Sequence, residues 1–191
     1  MPARLPPAGR ASVTVTVDRI FLIGMMGAGK STVGRLLARR CGYEFIDCDR
    51  ELEARSGVSI ATIFELEGEE SFRRREAALI DELTQRPRTV LATGGGAILS
   101  AENRRHLRER GLVVYLCASV DEILRRTQKD RARPLLQTAD RRGRITQLLA
   151  EREALYESIA HVTVHSSAGN PNRLVARLLQ DERVAAVLGG G

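Results

Sequence analysis

At 191 residues, 43% apolar and 28% charged, the chain has the make-up of one globular domain that buries roughly 70% of its unfolded surface. No apolar run approaches the ~20 residues that cross a bilayer, and the N-terminal stretch lacks the apolar core of a secretory signal, so a cytoplasmic chain with no membrane partner is expected. The net charge of +6 comes almost wholly from arginine and fits either a nucleic-acid surface or a site for small anions; 4% aromatics and no tryptophan leave few stacking platforms for bases and favour the small anion.

In chain order, residues 1–17 carry three of the six prolines and read as a flexible tail before a single domain at 18–184. The apolar run 19–23 is a strand, followed by "GMMGAGKST" at 24–32 and by helical spacing over 31–41. Strand 43–47 ends in Asp47-Cys48-Asp49, and a short helix over 49–57 stops at Gly57. Cys48 is most simply a small half-buried residue, and three scattered cysteines suggest neither a disulfide framework nor a paired metal site. A long helix over 69–86 precedes strand 89–93, which runs into Gly94-Gly95-Gly96. Ser100 caps a helix that Gly111 stops, strand 112–117 follows, and Ser119 with Glu122 forms a capping box. The charged, aperiodic segment 129–144 reads as a mobile loop. A helix over 145–160, a fifth strand at 161–165, a helix from Pro171 and a C-terminal tail at 185–191 complete the chain.

Strands alternating with helices predict an α/β fold: a three-layer arrangement with a five-stranded parallel sheet flanked by helices. Ligands of such sheets sit at the carboxyl ends of the strands. The loop at 24–32, the aspartates at 47 and 49 and the glycine triplet all fall there.

Gly24-x-x-x-x-Gly29-Lys30-Ser31 is a complete P-loop between a strand and a helix. Its backbone N–H groups, from Gly27, Ala28 and Gly29 through Lys30, Ser31 and Thr32, would surround phosphates at a helix N-terminus. Lys30 would bridge the β- and γ-phosphates, and the Ser31 hydroxyl would ligate Mg²⁺. P-loop enzymes add an acidic metal partner, but the third strand offers none, so Asp47 is the candidate. Guanine-specificity motifs are absent and the chain is short for a motor or a transporter, which leaves a small kinase with an anionic acceptor. Arg74, Arg75, Arg104 and Arg105 lie in helical charge patterns and read as solvated.

The combination "GMMGAGKST", "FIDCD", "IFELEGEESFRRRE", "VLATGGGA", "RPLL" and "EREALY", spread from about Arg19 to Gln180, resembles the shikimate kinase family. The resemblance implies ATP and shikimate as substrates, phosphorylation of the 3-hydroxyl, a place in aromatic amino-acid biosynthesis, a monomer, and no nucleic-acid partner. It implies Asp47 in the metal's outer shell and Asp49 at the ring hydroxyls, as a candidate base. Arg73 and Arg152 become the clamp on the shikimate carboxylate, Gly95 and Gly96 substrate contacts, the 129–144 loop a mobile lid with Arg133 its arginine on the phosphates, and Arg126 a residue near adenine. Where family members wrap the adenine with a long polar side chain, this chain has Gly169, which implies backbone contacts. The alternative is a related P-loop kinase acting on another small hydroxy compound, gluconate-like or an antibiotic.

Overall fold

The computed structural model describes residues 18–128, 138–166 and 169–189. Five parallel strands, β1 (Arg19–Ile23), β2 (Glu44–Asp47), β3 (Thr89–Ala92), β4 (Leu112–Cys117) and β5 (Val162–His165), pair in the order β2-β3-β1-β4-β5. The register sets Ile20 beside Val90 and Leu112, so β1 is central. Every residue of β3 and all but one each of β1 and β4 are buried, whereas the edge strands β2 and β5 alternate. Continuous burial is what a parallel sheet covered on both faces requires.

The cover is α1 (Lys30–Cys41), α2 (Cys48–Ser56), α3 (Ile60–Leu83), α4 (Ala101–Arg110), α5 (Val120–Thr127), α6 (Arg141–Ile159), α7 (Pro171–Gln180) and α8 (Glu182–Gly189). Helix α1 packs on α7 and on the sheet, while α3, α4 and α6 pack successively on one another. Local chemistry sets the ends. The side chains of Asp47, Ser59, Ser100 and Asn170 each accept a backbone N–H one turn into their helix, a cap that contributes about 1 kcal/mol. The Ser119–Glu122 capping box forms in full at α5. Helix α3 is kinked at Gly68 (φ 79°), so the charged run that follows starts a fresh helical direction.

Three boundaries differ clearly from the sequence expectation. The long helix expected over 69–86 spans Ile60–Leu83, its first limb lying before the Gly68 kink. Most of the stretch expected as a C-terminal tail is α8, because Val184 and Val187, three apart, are both buried in the core. Residues 141–144, expected within the lid, form the first turn of α6, where the Asp140 carboxylate accepts from Gly143 N at 2.8 Å. The lid's core at 129–137, including Arg133, and the N-terminal tail at 1–17 lie outside the described residues. Cys48, expected half-buried, is 2% exposed, and burial first, then the neighbouring carboxylates, pushes its thiol well above the ordinary range. Among the described residues no helix is long and apolar enough to cross a membrane.

Candidate active site

The carboxyl ends of β1, β2 and β3 open into a cleft of about 640 Å³. On one side, the turn after β1 delivers the P-loop to α1. Gly29 caps that helix in the left-handed region (φ 95°), with no side chain between the helix N-terminus and the cleft. Lys30 is buried, and its Nζ donates to the carbonyls of Gly24 (2.7 Å) and Met25 (2.9 Å). Ser31 Oγ donates to Asp47 Oδ2 at 2.5 Å, so α1 and the end of β2 bring a hydroxyl and a carboxylate together. Thr93, one residue beyond β3, lines the cleft where another P-loop protein would carry its acid; its hydroxyl donates to Leu22 O (3.3 Å).

The back of the P-loop is held from a distance. Arg126, on α5, donates through Nη1 to the carbonyls of Gly27 (3.1 Å) and Ala28 (3.2 Å) and to Ser166 Oγ (2.8 Å). Ser166 Oγ in turn donates to Ala28 O at 2.6 Å. Arg126 and Thr32 border both the main cleft and a second cavity of about 440 Å³, which Gly169, Asn170 and Pro171 also line. Ser166 lines the second cavity as well, beside Arg126.

Across the cleft stand residues from three helices. Asp49 lies in the first turn of α2, Arg73 in the second limb of α3, and Arg152, 3% exposed, on α6. Arg73 donates to Glu76 Oε2 (2.7 Å) and to Glu69 Oε1 (3.0 Å), with its guanidinium 5.1 Å from the Phe72 ring centroid. Glu76 is 2% exposed. Burial raises its pKa above the ordinary glutamate value even though Arg73 and Arg152 pull it down. Burial also acts on Arg73, but the Glu76 charge and hydrogen bond outweigh it and raise that pKa. Two carboxylates thus hold the guanidinium as a fixed fork, which can still offer N–H donors to an anion. Ile60, Phe64 and Phe72 give the cleft an apolar wall, Phe64 and Phe72 with ring centroids 4.7 Å apart.

The glycine triplet allows these groups to crowd together. A Cβ on Gly94 would lie 2.5 Å from Glu76 Oε1 and 2.9 Å from Asp49 Oδ1, and one on Gly96 would overlap the Arg73 guanidinium. Gly95 faces the P-loop, where a Cβ would lie 3.2 Å from Met26 N, and its carbonyl accepts from Tyr156 Oη and Arg152 Nη1. Arg104, expected to be solvated, instead donates to the carbonyls of Ile98 (2.7 Å) and Leu99 (3.0 Å). Arg74 and Arg75 pair on the surface with Glu70 and Glu67 as expected.

All the predicted site residues within the described chain, with the exception of the fully buried Ala28, line the cleft; Ala28 supplies the carbonyl that ties Ser166 and Arg126 to the loop. Sequence reasoning missed Glu76, Tyr156 and Ser166. For Glu76 a signal exists, since it stands three residues after Arg73 on a helix, within pairing reach. For Ser166 there is none, because its partner Ala28 is 138 residues away.

A P-loop at the head of a parallel sheet, facing a carboxylate and the Arg73 and Arg152 guanidinia across one cleft, defines a P-loop kinase for a small anionic acceptor. The sequence profile of the family "Shikimate kinase" matches residues 26–183. The chain belongs to the shikimate kinase family. It is 57% identical over 160 residues to the shikimate kinase of Bordetella avium, covering 84% of this chain and 77% of that one. It is 49% identical over 181 residues to that of Nitrosospira multiformis, covering 95% and 93%. The fold is similar to that of Acinetobacter baumannii shikimate kinase in complex with shikimate, with a TM-score of 0.84, 48% identity, and coverage of 85% and 90%.

Proposed function

We propose that this site transfers the γ-phosphoryl group of ATP to the 3-hydroxyl of shikimate, giving shikimate 3-phosphate and ADP. The observation that carries the reading is that one cleft joins the P-loop and its Ser31–Asp47 pair to Asp49 and to the Arg73 and Arg152 guanidinia. A carboxylate acceptor calls for planar, bidentate donors, and a neutral acceptor would make no use of the two guanidinium charges.

The chain's residues divide the work. Arg73, held by Glu76 and Glu69, and Arg152 take the carboxylate and fix the ring. Asp49 accepts the proton of the 3-hydroxyl as its oxygen bonds to the γ-phosphorus and the bridge to the β-phosphate breaks. Lys30 moves its three donors from the loop carbonyls to the phosphates. Positioning and charge neutralisation supply most of the acceleration in phosphoryl transfer. Arg133, on the expected lid, is proposed to close on the phosphates and exclude water.

The Ser31 hydroxyl and Asp47 carboxylate are hard oxygen donors that fit Mg²⁺; Ser31 would ligate it directly and Asp47 would hold it from the outer shell. Bound there, Mg²⁺ would neutralise charge on the β- and γ-phosphates. Among the described residues no cluster of three His, Cys, Asp or Glu offers an all-protein cage, and magnesium at phosphate sites needs none.

The test is a coupled ADP-release assay with shikimate, quinate and gluconate side by side. ADP release should depend on shikimate and on magnesium. Release indifferent to shikimate, or driven equally by gluconate, would overturn the reading.

A further inference from the structure

Three consecutive glycines offer no side chain to pack and lose more backbone freedom on folding than any other sequence of that length. Something else must hold residues 94–96 in place, and the hydrogen bonds show what. Gly94 O accepts from Ala97 N (3.2 Å) and Gly96 O from Leu99 N (3.0 Å) within the turn itself. Asn103 Nδ2 serves Ala97 O at 3.0 Å, and Arg104 serves the carbonyls of Ile98 and Leu99. Those donors all come from the turn or from α4, immediately downstream.

The middle carbonyl is held differently. Gly95 O accepts from Tyr156 Oη at 2.5 Å and from Arg152 Nη1 at 3.4 Å, both on α6 and about 60 residues away. Tyr156 and Arg152 are four residues apart, hence on one face of that helix. Tyr156 is 1% exposed and its ring stacks on Tyr115, with centroids 5.0 Å apart and planes at 19°. Burial pushes its phenol well above the ordinary range, so it remains a donor throughout the range in which the protein works.

We propose that Tyr156 is a positioning residue for the acceptor half of the site: its hydroxyl tethers the glycine loop to α6 and so sets Gly94–Gly96 against Arg73, Glu76 and Arg152. It touches no substrate. The loop carries no side chain of its own, so the tether decides where its backbone meets the acceptor and where the two arginines can lie. This rests on the reading that the cleft takes shikimate.

The test is Tyr156→Phe, which keeps the ring and its stacking and removes the one donor. KM for shikimate should rise about five- to tenfold, the worth of one buried hydrogen bond, with KM for ATP within about twofold. Tyr115→Phe is the control. It strips a hydroxyl from the same stack that makes no hydrogen bond with the loop, and it should leave both KM values in place. Amide hydrogen exchange of unliganded Tyr156→Phe should speed up at residues 94–98 and not in the P-loop. An unchanged shikimate KM, or equal rises for both substrates together with a lower Tm, would overturn the proposal. Were the wild type to show no shikimate-dependent turnover, the functional reading would fall and exchange alone would decide: faster exchange confined to 94–98 upholds the tether, and unchanged exchange removes it.

Discussion

The nucleotide side of the cleft is built from one contiguous stretch, residues 24–32, whose contacts are mainly backbone groups and whose shape follows from glycines and a helix N-terminus. The acceptor side draws on α2, α3, the turn after β3 and α6, and its working parts are charged side chains that act on one another: Arg73 is bonded to Glu76, and the charges of Arg73 and Arg152 both act on that carboxylate. A backbone cradle tolerates the loss of a neighbour. A set of mutually buried charges does not, because removing one member leaves its partner without compensation. Substitutions on the two sides should therefore differ in kind as well as in size.

Asp49→Asn should cause the largest loss. The change is nearly isosteric and removes the only carboxylate assigned to the reacting hydroxyl. General-base catalysis contributes about 10²- to 10⁴-fold, so kcat/KM for shikimate should fall by that order. ADP affinity, measured by titration calorimetry, should stay within about twofold of wild type, because residues 24–32 supply the phosphate cradle. A fall of less than about tenfold would make Asp49 a holding group only. Loss of ADP binding would erase the distinction between the two sides.

Glu76→Gln should come next and has a pH signature. The folded-state pKa of Glu76 is raised above 4.5, chiefly by burial. As pH falls, the carboxyl therefore takes up its proton at a higher pH than an ordinary glutamate, and Arg73 loses the charge that orients it. The acid limb of kcat/KM for shikimate should lie above pH 4.5 in the wild type and vanish in the variant, whose KM for shikimate should rise about tenfold. The stability effect has the opposite sign. An acid with a raised pKa binds more protons folded than unfolded, so ionising Glu76 lowers stability as pH climbs from 4.5 through the raised value. Glu76→Gln should flatten that slope in Tm against pH. An acid limb identical in both proteins would assign it to another group.

The same contrast explains what the sequence makes legible. The P-loop, the strands and the capping residues are local patterns, so their chemistry shows in a few adjacent letters. Asp49, Arg73 and Arg152 emerge only through resemblance to a family, because among so many arginines nothing local marks those two. Arg104 read as solvated because charge patterns reveal carboxylate partners and not carbonyls, and its partners are carbonyls of the preceding turn. The tail that proved to be α8 follows from Asp181, whose carboxylate accepts from Arg183 N at 2.9 Å and so opens a new helix where the preceding one ends. Tyr156 and Ser166 act on backbone atoms far away in sequence, and only the folded chain brings these together.

The smallest expected effect tests the nucleotide side where it is least self-sufficient. Ser166 donates to Ala28 O and accepts from Arg126, so it buttresses the P-loop from behind. In Ser166→Ala, Arg126 still reaches Gly27 O, Ala28 O and Ser166 O, so no buried group loses every partner. Two hydrogen bonds are lost, both from groups that keep other partners, and a net cost of about 1 kcal/mol corresponds to a rise of about fivefold in KM for ATP. KM for shikimate should be unchanged, the mirror image of Tyr156→Phe. A shift in both constants would mean that the two sides move as one body, and that the glycine loop and the P-loop, which meet at Gly95 and Met26, are coupled through that contact.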